Sequence, residues 1–488
     1  MKYRLNTMIA TLLALLTVIG TVACTTSDGP ATQTTDTVGT STSTVKTGDD
    51  GRSRDNLPET DWENADFLIW TYDNSNMMCP TLNEDASQSV DAVSEAMYKA
   101  ALEVEERFHI NLEEILINDR DISIYSNPAR AGSYEYDVAN ARCIYVVPLW
   151  SENLLYTFDQ IPYVDLDREY WNQSANDSLS INNVQYAAIG GYSVATYSLV
   201  HALLFNKNLI SDLSLDNPYD LVKEGNWTFD AMNAMMGKAI KDLDGNSVMD
   251  GGDRYGYLAH YKEVLPSFWL AADTFSVSKD EEDIPFSNIA GEKFNAVFNK
   301  VFEMFYDTGA WYNGKGETWN LDIPDFCIEM FGAGQALFMD TTFHAMSRMR
   351  NISNIEFGIL PYPKWDVNQA EYRSRVEYYN SQVVPNGVGN LDRTGMILEA
   401  LNCAYYNEFL PAYYEVALQR KYTVDDESAE MLDIVFNTLV IDIGDTTLCD
   451  KVRDGIFMSM FQKNNRNLAS IAARCDTLIN KALKDFYA

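Results

Sequence analysis

The order of apolar segments at the start of the folded part most constrains the architecture of this chain. Residues 67–72 are an apolar run typical of a buried strand, residues 90–108 repeat apolar positions with a helical period, and residues 109–112 and 136–139 are again strand-like. The predicted buried face of the helix consists of Val93, Met97, Ala101, Val104 and Phe108. A strand, a long helix and a strand in this order predict a parallel βαβ unit and an α/β fold.

The rest of the chain continues this alternation of strands and helices. Further strands are predicted at residues 186–191, 203–205, 336–339, 357–360 and 382–384. Further helices are predicted at residues 207–213, 293–306, 323–333, 397–410 and 412–420, and over much of the chain after residue 429. A chain of 488 residues offers enough material for two or three domains.

A helix followed by an acidic loop occupies residues 227–257. Thr228 is the predicted N-cap, and Asp230 places a negative charge in the first turn, where the helix dipole favours it. The helical pattern continues to Ile240. Residues with oxygen ligands then stand at positions 1, 3, 5, 7, 9 and 12 of an EF-hand-like scheme. They are Asp242, Asp244, Asn246, Val248 (through its carbonyl), Asp250 and Asp253.

This spacing predicts a structural Ca²⁺ site, and no catalytic cofactor is predicted. Two positions depart from the scheme, because Ser247 stands where glycine is usual and Asp253 replaces the bidentate glutamate. The alternative is an acidic, solvated turn between a helix and a strand, since Asp, Asn and Gly dominate turns in general.

The charge balance limits the possible partners. The sequence has 36 basic and 71 acidic residues, a net charge of −35. Such a surface repels phosphate backbones, so we expect no nucleic-acid partner. The charge is compatible with neutral or cationic ligands.

The N-terminus predicts export and lipid attachment. Lys2 and Arg4 precede an apolar run at residues 8–22 that is too short for a membrane span, and Ala23 and Cys24 follow it. A small residue directly before cysteine resembles the lipobox of bacterial lipoproteins, in which the cysteine is lipidated. An ordinary secretory signal with a chance cysteine is the alternative. We therefore expect a signal peptide at residues 1–23, a Thr/Ser-rich flexible tether at 24–58, and a location on the outer face of the bacterial cell membrane.

Six further cysteines are spread over the chain without a C-x-x-C pair. They are Cys79, Cys143, Cys327, Cys403, Cys449 and Cys475. They could form disulfides outside the cytoplasm or remain as buried thiols, and sequence alone leaves both possibilities open.

Four separated motifs resemble one known family. Residues 204–207 read Leu-Phe-Asn-Lys, residues 225–230 read Gly-Asn-Trp-Thr-Phe-Asp, residues 254–256 read Arg-Tyr-Gly, and residues 357–364 read Phe-Gly-Ile-Leu-Pro-Tyr-Pro-Lys. In this order, behind a lipobox, they resemble the family 1 extracellular solute-binding proteins, which are receptors of bacterial ABC importers and often bind carbohydrates. The resemblance covers most of the chain from about residue 61 to residue 420.

The resemblance implies a type II, two-lobed periplasmic-binding-protein-like clamp in which each lobe is a sheet flanked by helices. The first lobe would hold residues 59–190 and a return at 381–428, and the second lobe residues 191–380. Residues 429–488 would add C-terminal helices, mainly to the second lobe. The chain would cross between the lobes near residues 190–196 and 380–386, and the ligand would lie outside the carboxyl ends of the strands.

Candidate ligand-binding residues are aromatic or polar side chains near strand ends and the first crossing. Aromatic faces suit the apolar faces of sugar rings, and planar polar groups suit their hydroxyls. The candidates are Trp70, Tyr72, Asp73, Arg142, Tyr192, Trp269, Asp340 and Phe343. Core packing is the alternative for each aromatic residue, since the chain has 9 Trp, 29 Tyr and 22 Phe.

The sequence thus predicts a monomeric lipoprotein without catalytic residues. We expect it to capture a small solute, chiefly a mono- or oligosaccharide, and to deliver it to an ABC permease. Two alternatives stay open. A secreted carbohydrate-active hydrolase is one, because residues 191–195 approximate a G-x-S-x-G nucleophile elbow without its last glycine. A surface glycan-binding lipoprotein without a transporter is the other.

Overall fold

The structure is a computed structural model that describes residues 51–73, 78, 91–118, 120–312, 314, 325–346, 355–419 and 426–487. The predicted signal peptide, Cys24 and residues 24–50 of the predicted tether lie outside the described residues. Among the helices that are described, none combines the length and the hydropathy needed to span a bilayer.

Thirteen strands can be numbered in chain order. They are β1 (Ala65–Tyr72), β2 (Ile110–Ile117), β3 (Val138–Arg142), β4 (His201–Asn206), β5 (Tyr255–Leu258), β6 (Val277–Lys279), β7 (Pro285–Ser287), β8 (Trp311–Tyr312), β9 (Ala336–Thr342), β10 (Phe357–Leu360), β11 (Ser374–Arg375), β12 (Asn380–Val383) and β13 (Leu439–Val440). This numbering counts only the strands of the described residues.

The helices of the same part of the chain are α1 (Ala92–Phe108), α2 (Ser123–Ala131), α3 (Cys143–Ser151), α4 (Gln173–Leu179), α5 (Val194–Ser198), α6 (Lys207–Asp212), α7 (Pro218–Lys223), α8 (Phe229–Ala239), α9 (Tyr261–Ala271), α10 (Glu292–Phe302), α11 (Asp325–Gly332), α12 (Phe343–Met346), α13 (Leu391–Gln419), α14 (Asp426–Asn437), α15 (Met458–Gln462) and α16 (Leu468–Tyr487). Short 3₁₀ or π-helical turns occupy Phe158–Gln160, Glu303–Asp307 and Arg453–Phe457.

The first sheet has the strand order β2-β1-β3-β12. Strands β1, β2 and β3 run parallel, with Phe67 opposite Leu112 and Ile69 opposite Val138, whereas β12 runs antiparallel to β3. The predicted βαβ beginning is therefore confirmed. Helices α1 and α13 lie against each other and cover one face of this sheet, and all five predicted core residues of α1 are buried.

The second sheet has the order β10-β4-β9-β5-β8. Here β10, β4 and β9 pair antiparallel, and β9, β5 and β8 pair parallel. Both β4 and β9 are buried along their whole length, as expected for central strands covered on both faces. Each of the two sheets contains parallel strands and is flanked by helices, which is the α/β class predicted from the sequence.

Two of the sequence motifs meet beside the second sheet. The side chain of Thr228 accepts a hydrogen bond from the backbone N–H of Ala231 at 3.3 Å, so the predicted N-cap of α8 is confirmed. The indole N–H of Trp227 donates to the carbonyl of Pro361 at 3.0 Å, and Phe229 and Lys364 are joined through their backbones at 2.9 Å. The Trp-Thr-Phe-Asp helix start is thus fixed to the segment that follows β10.

The prediction of a strand at residues 186–191 is wrong. This segment forms only isolated bridges, from Ala188 to Gln382 and from Gly190 to Trp171. A Cβ atom on Gly190 would lie 2.2 Å from the Asn402 side-chain oxygen, and one on Gly191 2.4 Å from the Asn402 carbonyl. Because α13 approaches so closely, the backbone turns away here into α5 and does not extend the sheet.

The two helices predicted at residues 397–410 and 412–420 are one helix, α13, which runs through Pro411. Its apolar positions are buried against α1, and this tertiary packing outweighs the helix-breaking tendency of proline.

Residues 51–58, which fall within the predicted tether, contact the folded body. Asp55 accepts a hydrogen bond from the Arg107 guanidinium at 2.7 Å, Arg52 contacts Glu103 at 2.8 Å, and Leu57 and Ser53 are buried. Residues 51–58 therefore belong to the folded body and not to a tether, because these ion pairs and the Leu57 side chain fasten them to α1.

The described cysteines are free thiols. Cys143, Cys327, Cys403, Cys449 and Cys475 are all buried and unpaired, and Cys79 lies outside the described residues. Burial raises the pKa of the Cys143 and Cys475 thiols to about 11, so both stay protonated near neutral pH. These five residues behave as small core hydrophobes.

Candidate ligand-binding site between the two sheets

Two neighbouring segments carry the chain between the sheets. The outgoing segment comprises α5 and the two residues before β4, and the return segment comprises residues 376–379, between β11 and β12. They pair at Val200 and Val376, and the Glu377 N–H donates to the Leu199 carbonyl at 3.3 Å. The crossings thus lie a few residues after and before the positions that the resemblance implied.

The return segment enters β12 beside the carboxyl ends of β1 and β3. The Asn380 side-chain amide donates to the Tyr72 carbonyl at 2.7 Å, and Arg142, the last residue of β3, is opposite Asn380. Parallel strands place their ends at one edge of a sheet, which is why β1 and β3 bring their terminal side chains together here.

Tyr72, Arg142 and Tyr378 form a strand-end cluster at this edge. The Arg142 guanidinium carbon lies 5.5 Å from the ring centroid of Tyr72 and 4.8 Å from that of Tyr378. No carboxylate pairs with Arg142 in the described part of the chain, and the buried Arg142 Nε and Tyr378 hydroxyl have no hydrogen-bond partner there. A guanidinium held only by ring faces keeps its fork of donors available to a ligand.

Asp73 follows the cluster directly. Its backbone N–H donates to the Ile117 carbonyl at 3.0 Å, which continues the pairing of β1 with β2, and its side chain is half-buried. The structure therefore brings three predicted ligand residues, Tyr72, Asp73 and Arg142, to one edge of the first sheet.

The edge of the second sheet carries a buried His–Asp pair. His201 begins β4, and its Nδ1 lies 2.8 Å from the Asp340 carboxylate on β9. The Tyr362 hydroxyl donates to the same carboxylate oxygen and lies 3.0 Å from the Tyr257 hydroxyl. Burial alone would lower the pKa of His201, but the neighbouring carboxylates, chiefly Asp340, raise it to about 9. His201 is therefore cationic at neutral pH.

An ionic network extends from this pair. It comprises Lys262, Glu263, Arg375, Glu377, Asp445 and Arg453 together with His201 and Asp340. Arg375 contacts Glu263 at 2.6 Å and holds both oxygens of Asp445, at 2.6 and 3.0 Å. Lys262 lies 2.5 Å from Glu377. Four cations thus face four carboxylates, and the network is close to neutral.

The network sets the charge states of its members. Burial and the nearby Glu377 would raise the pKa of Glu263, but Lys262 and Arg375 lower it below its usual range. His260, which precedes α9, has its pKa lowered to about 4 by burial and is neutral. Glu377 and Lys262 keep some exposure, 15% each, so they are the members nearest to solvent.

The remaining predicted ligand residues are buried, except Trp70, which is half-buried and packs against the core. Trp70 stacks on Tyr136 with centroids 4.5 Å apart, and Trp269 is 2% exposed. The other contacts of this group are Trp269 with Phe294 and Phe457, Tyr192 with Tyr405, and Phe343 with Phe436. These four aromatic residues follow the packing alternative, while Asp340 belongs to the ionic network.

Tyr378, Glu377 and Lys262 lie at the candidate site and were not predicted from the sequence. The return segment joins the two edges, since Tyr378 contacts Arg142 while Glu377 contacts Lys262 and His201. The available signal was the charged and aromatic run Arg-Val-Glu-Tyr-Tyr at residues 375–379, directly before a predicted buried strand. Nothing in that run alone says which sheet each side chain faces.

The serine of the approximate nucleophile elbow is held away from any histidine. Ser193 is 2% exposed, and its hydroxyl accepts hydrogen bonds from the Gln382 side chain at 3.0 Å and from the Gly190 N–H at 3.2 Å. His201 is engaged with Asp340 and Glu377, and the described contacts of Ser193 do not include this histidine.

The loop at residues 242–253 brings three predicted calcium ligands together. One carboxylate oxygen from each of Asp242, Asp244 and Asp253 lies within 4.8 Å of the others. Backbone N–H groups orient them, from Ser247 to Asp242 at 2.7 Å and from Leu243 to Asp253 at 2.8 Å. The Ser247 N–H and, to a smaller extent, the Gly245 N–H lower the pKa of Asp242. Val248 and Asp250 lie in the same loop, where Asp250 accepts from the Gly252 N–H at 2.8 Å. Anionic oxygens this close together are ligands of the kind that a hard cation prefers.

Comparisons with known proteins bear on the fold. No protein-family model matches the sequence, and no curated protein is significantly similar to it. Solved structures do match. The sugar-binding protein MalE from Xanthomonas citri has a TM-score of 0.58 at 13% identity, over 86% of this chain and 97% of that one.

Two more structures match over similar lengths. The galacto-N-biose/lacto-N-biose I-binding protein of an ABC transporter from Bifidobacterium longum, in complex with lacto-N-biose, has a TM-score of 0.55 at 12% identity, over 87% and 98% of the two chains. An ABC substrate-binding protein from Listeria monocytogenes, in complex with cycloalternan, has a TM-score of 0.52 at 12% identity, over 86% and 99%.

The fold is that of the periplasmic binding proteins. The two-lobed α/β architecture predicted from the motifs is confirmed, and these structural neighbours are carbohydrate-binding proteins and not enzymes.

Proposed function

We propose that this protein is a solute-binding lipoprotein that captures a mono- or oligosaccharide between its lobes and delivers it unaltered to an ABC permease. The fold supports this proposal, as do the sugar ligands of the neighbours from Bifidobacterium longum and Listeria monocytogenes. The single observation that carries it is the half-buried Arg142 between Tyr72 and Tyr378, with no carboxylate partner among the described residues.

The chemistry of the strand-end cluster suits a sugar. The guanidinium supplies several N–H donors in a fixed plane, which can pair with adjacent hydroxyls, and the tyrosine rings supply apolar faces. A sugar placed here would also come near Glu377 and Lys262 of the opposite edge. Because such a ligand contacts both lobes only when they approach, its binding would favour the closed arrangement.

We further propose that this function is carried out at the cell surface, because the sequence up to Cys24 resembles a lipoprotein signal. In this proposal Cys24 carries the lipid, the membrane is contacted through that anchor only, and the tether holds the monomeric folded part on the extracellular face of the bacterial cell membrane. With a tether of about 26 residues, the folded part could stand roughly 25–30 Å from the membrane. Nucleic acid is not a partner in this proposal, because the net charge of −35 opposes it.

We also propose that the loop at residues 242–253 binds Ca²⁺ in a structural role. The support is the convergence of Asp242, Asp244 and Asp253 within 4.8 Å. Such an ion would be held by Asp242, Asp244, Asn246, Asp250, Asp253 and the Val248 carbonyl, and it would fasten the end of α8 to β5. No ligand-binding or catalytic step depends on it.

The test is a thermal-shift screen of the purified protein against a panel of mono- and oligosaccharides. Stabilisation follows RT ln(1 + [L]/Kd), so a micromolar ligand at millimolar concentration stabilises by roughly 4 kcal/mol. Each sugar that stabilises is then incubated with the protein and analysed by chromatography, and small-angle scattering compares the free and bound protein.

Recovery of the intact sugar together with a smaller radius of gyration supports the receptor function. Products of glycosidic cleavage with turnover would establish the hydrolase alternative. Binding restricted to polymeric glycans, with an unchanged scattering profile, would favour the glycan-binding lipoprotein without a transporter.

A further inference from the structure

A cavity lies on the other side of α5 from the strand-end cluster. Ala195 and Leu199 pack against Tyr72, whereas Tyr197 faces Phe409 and Phe436. The cavity has a volume of about 660 Å³ and is bordered by α13, α14 and the start of α4. This volume is within the range of ligand pockets, which is roughly 300–1,000 Å³. The cavity is separate from the proposed sugar site.

Aromatic side chains supply much of the cavity wall. They are Trp171, Tyr197, Tyr406, Tyr414 and Phe436. Tyr414 and Phe436 lie with ring centroids 4.7 Å apart, and the Tyr197 hydroxyl is hydrogen-bonded to Asn172. The pKa of Tyr414 is raised by burial and then by Asp433, Tyr197 and Tyr406, which places these polar groups near one another. Ring faces and hydroxyls therefore surround a common space.

The charge of the lining is negative. Asp433 and Glu169 contribute carboxylates, and no Lys, Arg or His is among the described residues that line the cavity. Glu169 accepts a hydrogen bond from the Ser53 hydroxyl at 2.5 Å, while the solvent-exposed Asp433 carboxylate forms no ion pair or hydrogen bond with any described residue. Burial, together with the nearby Glu430, raises the pKa of Asp433. A cation in the cavity would relieve this unbalanced carboxylate.

We propose that this cavity is a binding site for a small organic cation with an apolar body, such as an amine or a quaternary ammonium compound. The faces of aromatic rings attract cations, and the attraction grows when the cation is removed from water. Asp433 supplies the opposite charge and the tyrosine hydroxyls supply acceptors. A neutral ligand would leave Asp433 without a counter-charge, and an anion would be repelled by both carboxylates.

The test uses choline and its uncharged isostere 3,3-dimethylbutan-1-ol as probes of the purified full-length chain, followed by isothermal titration calorimetry. Choline is expected to bind, and the isostere at least about tenfold more weakly, because both have the same shape but only choline carries the charge. Asp433→Asn should weaken choline binding by a similar factor. Glu427→Gln, which removes a carboxylate from α14 outside the cavity, should leave choline binding unchanged.

Ring substitutions separate a cation site from a general electrostatic effect. Tyr414→Phe keeps the ring face and should bind choline nearly as the wild type does, whereas Tyr414→Leu should bind it several-fold more weakly. Circular dichroism checks that each variant is folded. The proposal is overturned if choline gives no binding heat at millimolar concentrations, if the isostere binds as well as choline, or if Asp433→Asn and Glu427→Gln behave alike.

Discussion

At their adjoining edges, the two sheets differ in whether their charged side chains are paired with opposite charges. At the edge of the second sheet, each charge of the ionic network contacts an opposite charge, as Arg375 does with Glu263 and Asp445. At the edge of the first sheet, Arg142 contacts only the rings of Tyr72 and Tyr378 within the described residues. Both guanidiniums are removed from water to some degree, yet only that of Arg375 has its counter-charges supplied by the protein.

This difference separates a structural role from a binding role. Removing one member of a buried ion pair is strongly destabilising, since the other charge is then left without its partner. A guanidinium without a carboxylate lacks that dependence and can gain its partners from a ligand. We therefore assign the ionic network to stability and the strand-end cluster to recognition, and four predictions test this assignment.

The largest effect is expected from Arg375→Met. The substitution leaves Glu263 and Asp445 buried without their cation, so the free energy of unfolding should fall by roughly 3–5 kcal/mol. Urea unfolding followed by circular dichroism measures it. The matched control is Arg142→Met, which makes the same change where no carboxylate is left behind, and which should cost less than about 1 kcal/mol. Equal losses in the two variants would contradict the comparison.

For ligand binding, the order of the two variants is expected to be reversed, so that Arg142→Met has the larger effect. Arg142→Met should weaken the affinity for whichever sugar the screen identifies by roughly tenfold to a hundredfold, since hydrogen bonds to a charged group contribute about 1.5–3 kcal/mol. Titration calorimetry gives the two dissociation constants. Arg130→Met, on the exposed side of α2 where Arg130 pairs with Glu152, serves as control and should bind as the wild type does. Unchanged affinity in Arg142→Met would remove the strand-end cluster from the site.

The pH dependence of stability tests the His201 charge. The pKa of His201 is about 9 in the folded protein against 6.5 as the ordinary value, because Asp340 outweighs burial. Its stabilising contribution is complete below pH 6.5 and is lost as the pH rises towards 9, by at most about 1.4 kcal/mol per pH unit. Wild type and His201→Gln should therefore differ in slope between pH 7 and 9. Parallel profiles of unfolding free energy would show that His201 is not held as a cation.

The smallest effect concerns a third kind of polar group, the carboxylates of residues 242–253, which are oriented by backbone N–H groups. If Ca²⁺ binds there, saturation at ten times Kd stabilises by about 1.4 kcal/mol, so a chelator should lower Tm. Asp242→Ala should abolish this sensitivity, whereas Asp212→Ala, on the exposed end of α6, should retain it. If no chelator changes Tm, the Ca²⁺ proposal is wrong and the loop is an ordinary acidic turn.

Much of the fold followed from local patterns. The βαβ beginning, the buried face of α1, the N-cap of α8 and the strand Phe357–Leu360 were all predicted, because each depends on the spacing of residues close in sequence. The segment 186–191 was mistaken for a strand because its apolar run carries no sign of the approach of Asn402. The helix break predicted at Pro411 is absent for a related reason, since burial against a distant helix outweighed the helix-breaking preference of proline.

The site was predictable only in part. Tyr72, Asp73 and Arg142 were selected because they stand at strand ends, and parallel strands bring their ends together. Trp269 was selected as an aromatic residue, but it packs against Phe294 and Phe457. Tyr378 was missed, because its contact with Arg142 depends on the return segment, which follows β3 by more than 230 residues.

The sequence by itself determined the α/β class, the order of strands and helices, the acidic surface and the acidic loop, because these depend on composition and on spacing within one element. The tertiary structure alone decided which charges meet. Arg142 and Arg375 are each followed by an apolar residue in the sequence. What distinguishes them is that Glu263, on α9, and Asp445, after β13, are placed beside Arg375. Pairing of charges depends on distances between remote segments, and those distances exist only once the two sheets have formed and the return segment has joined them.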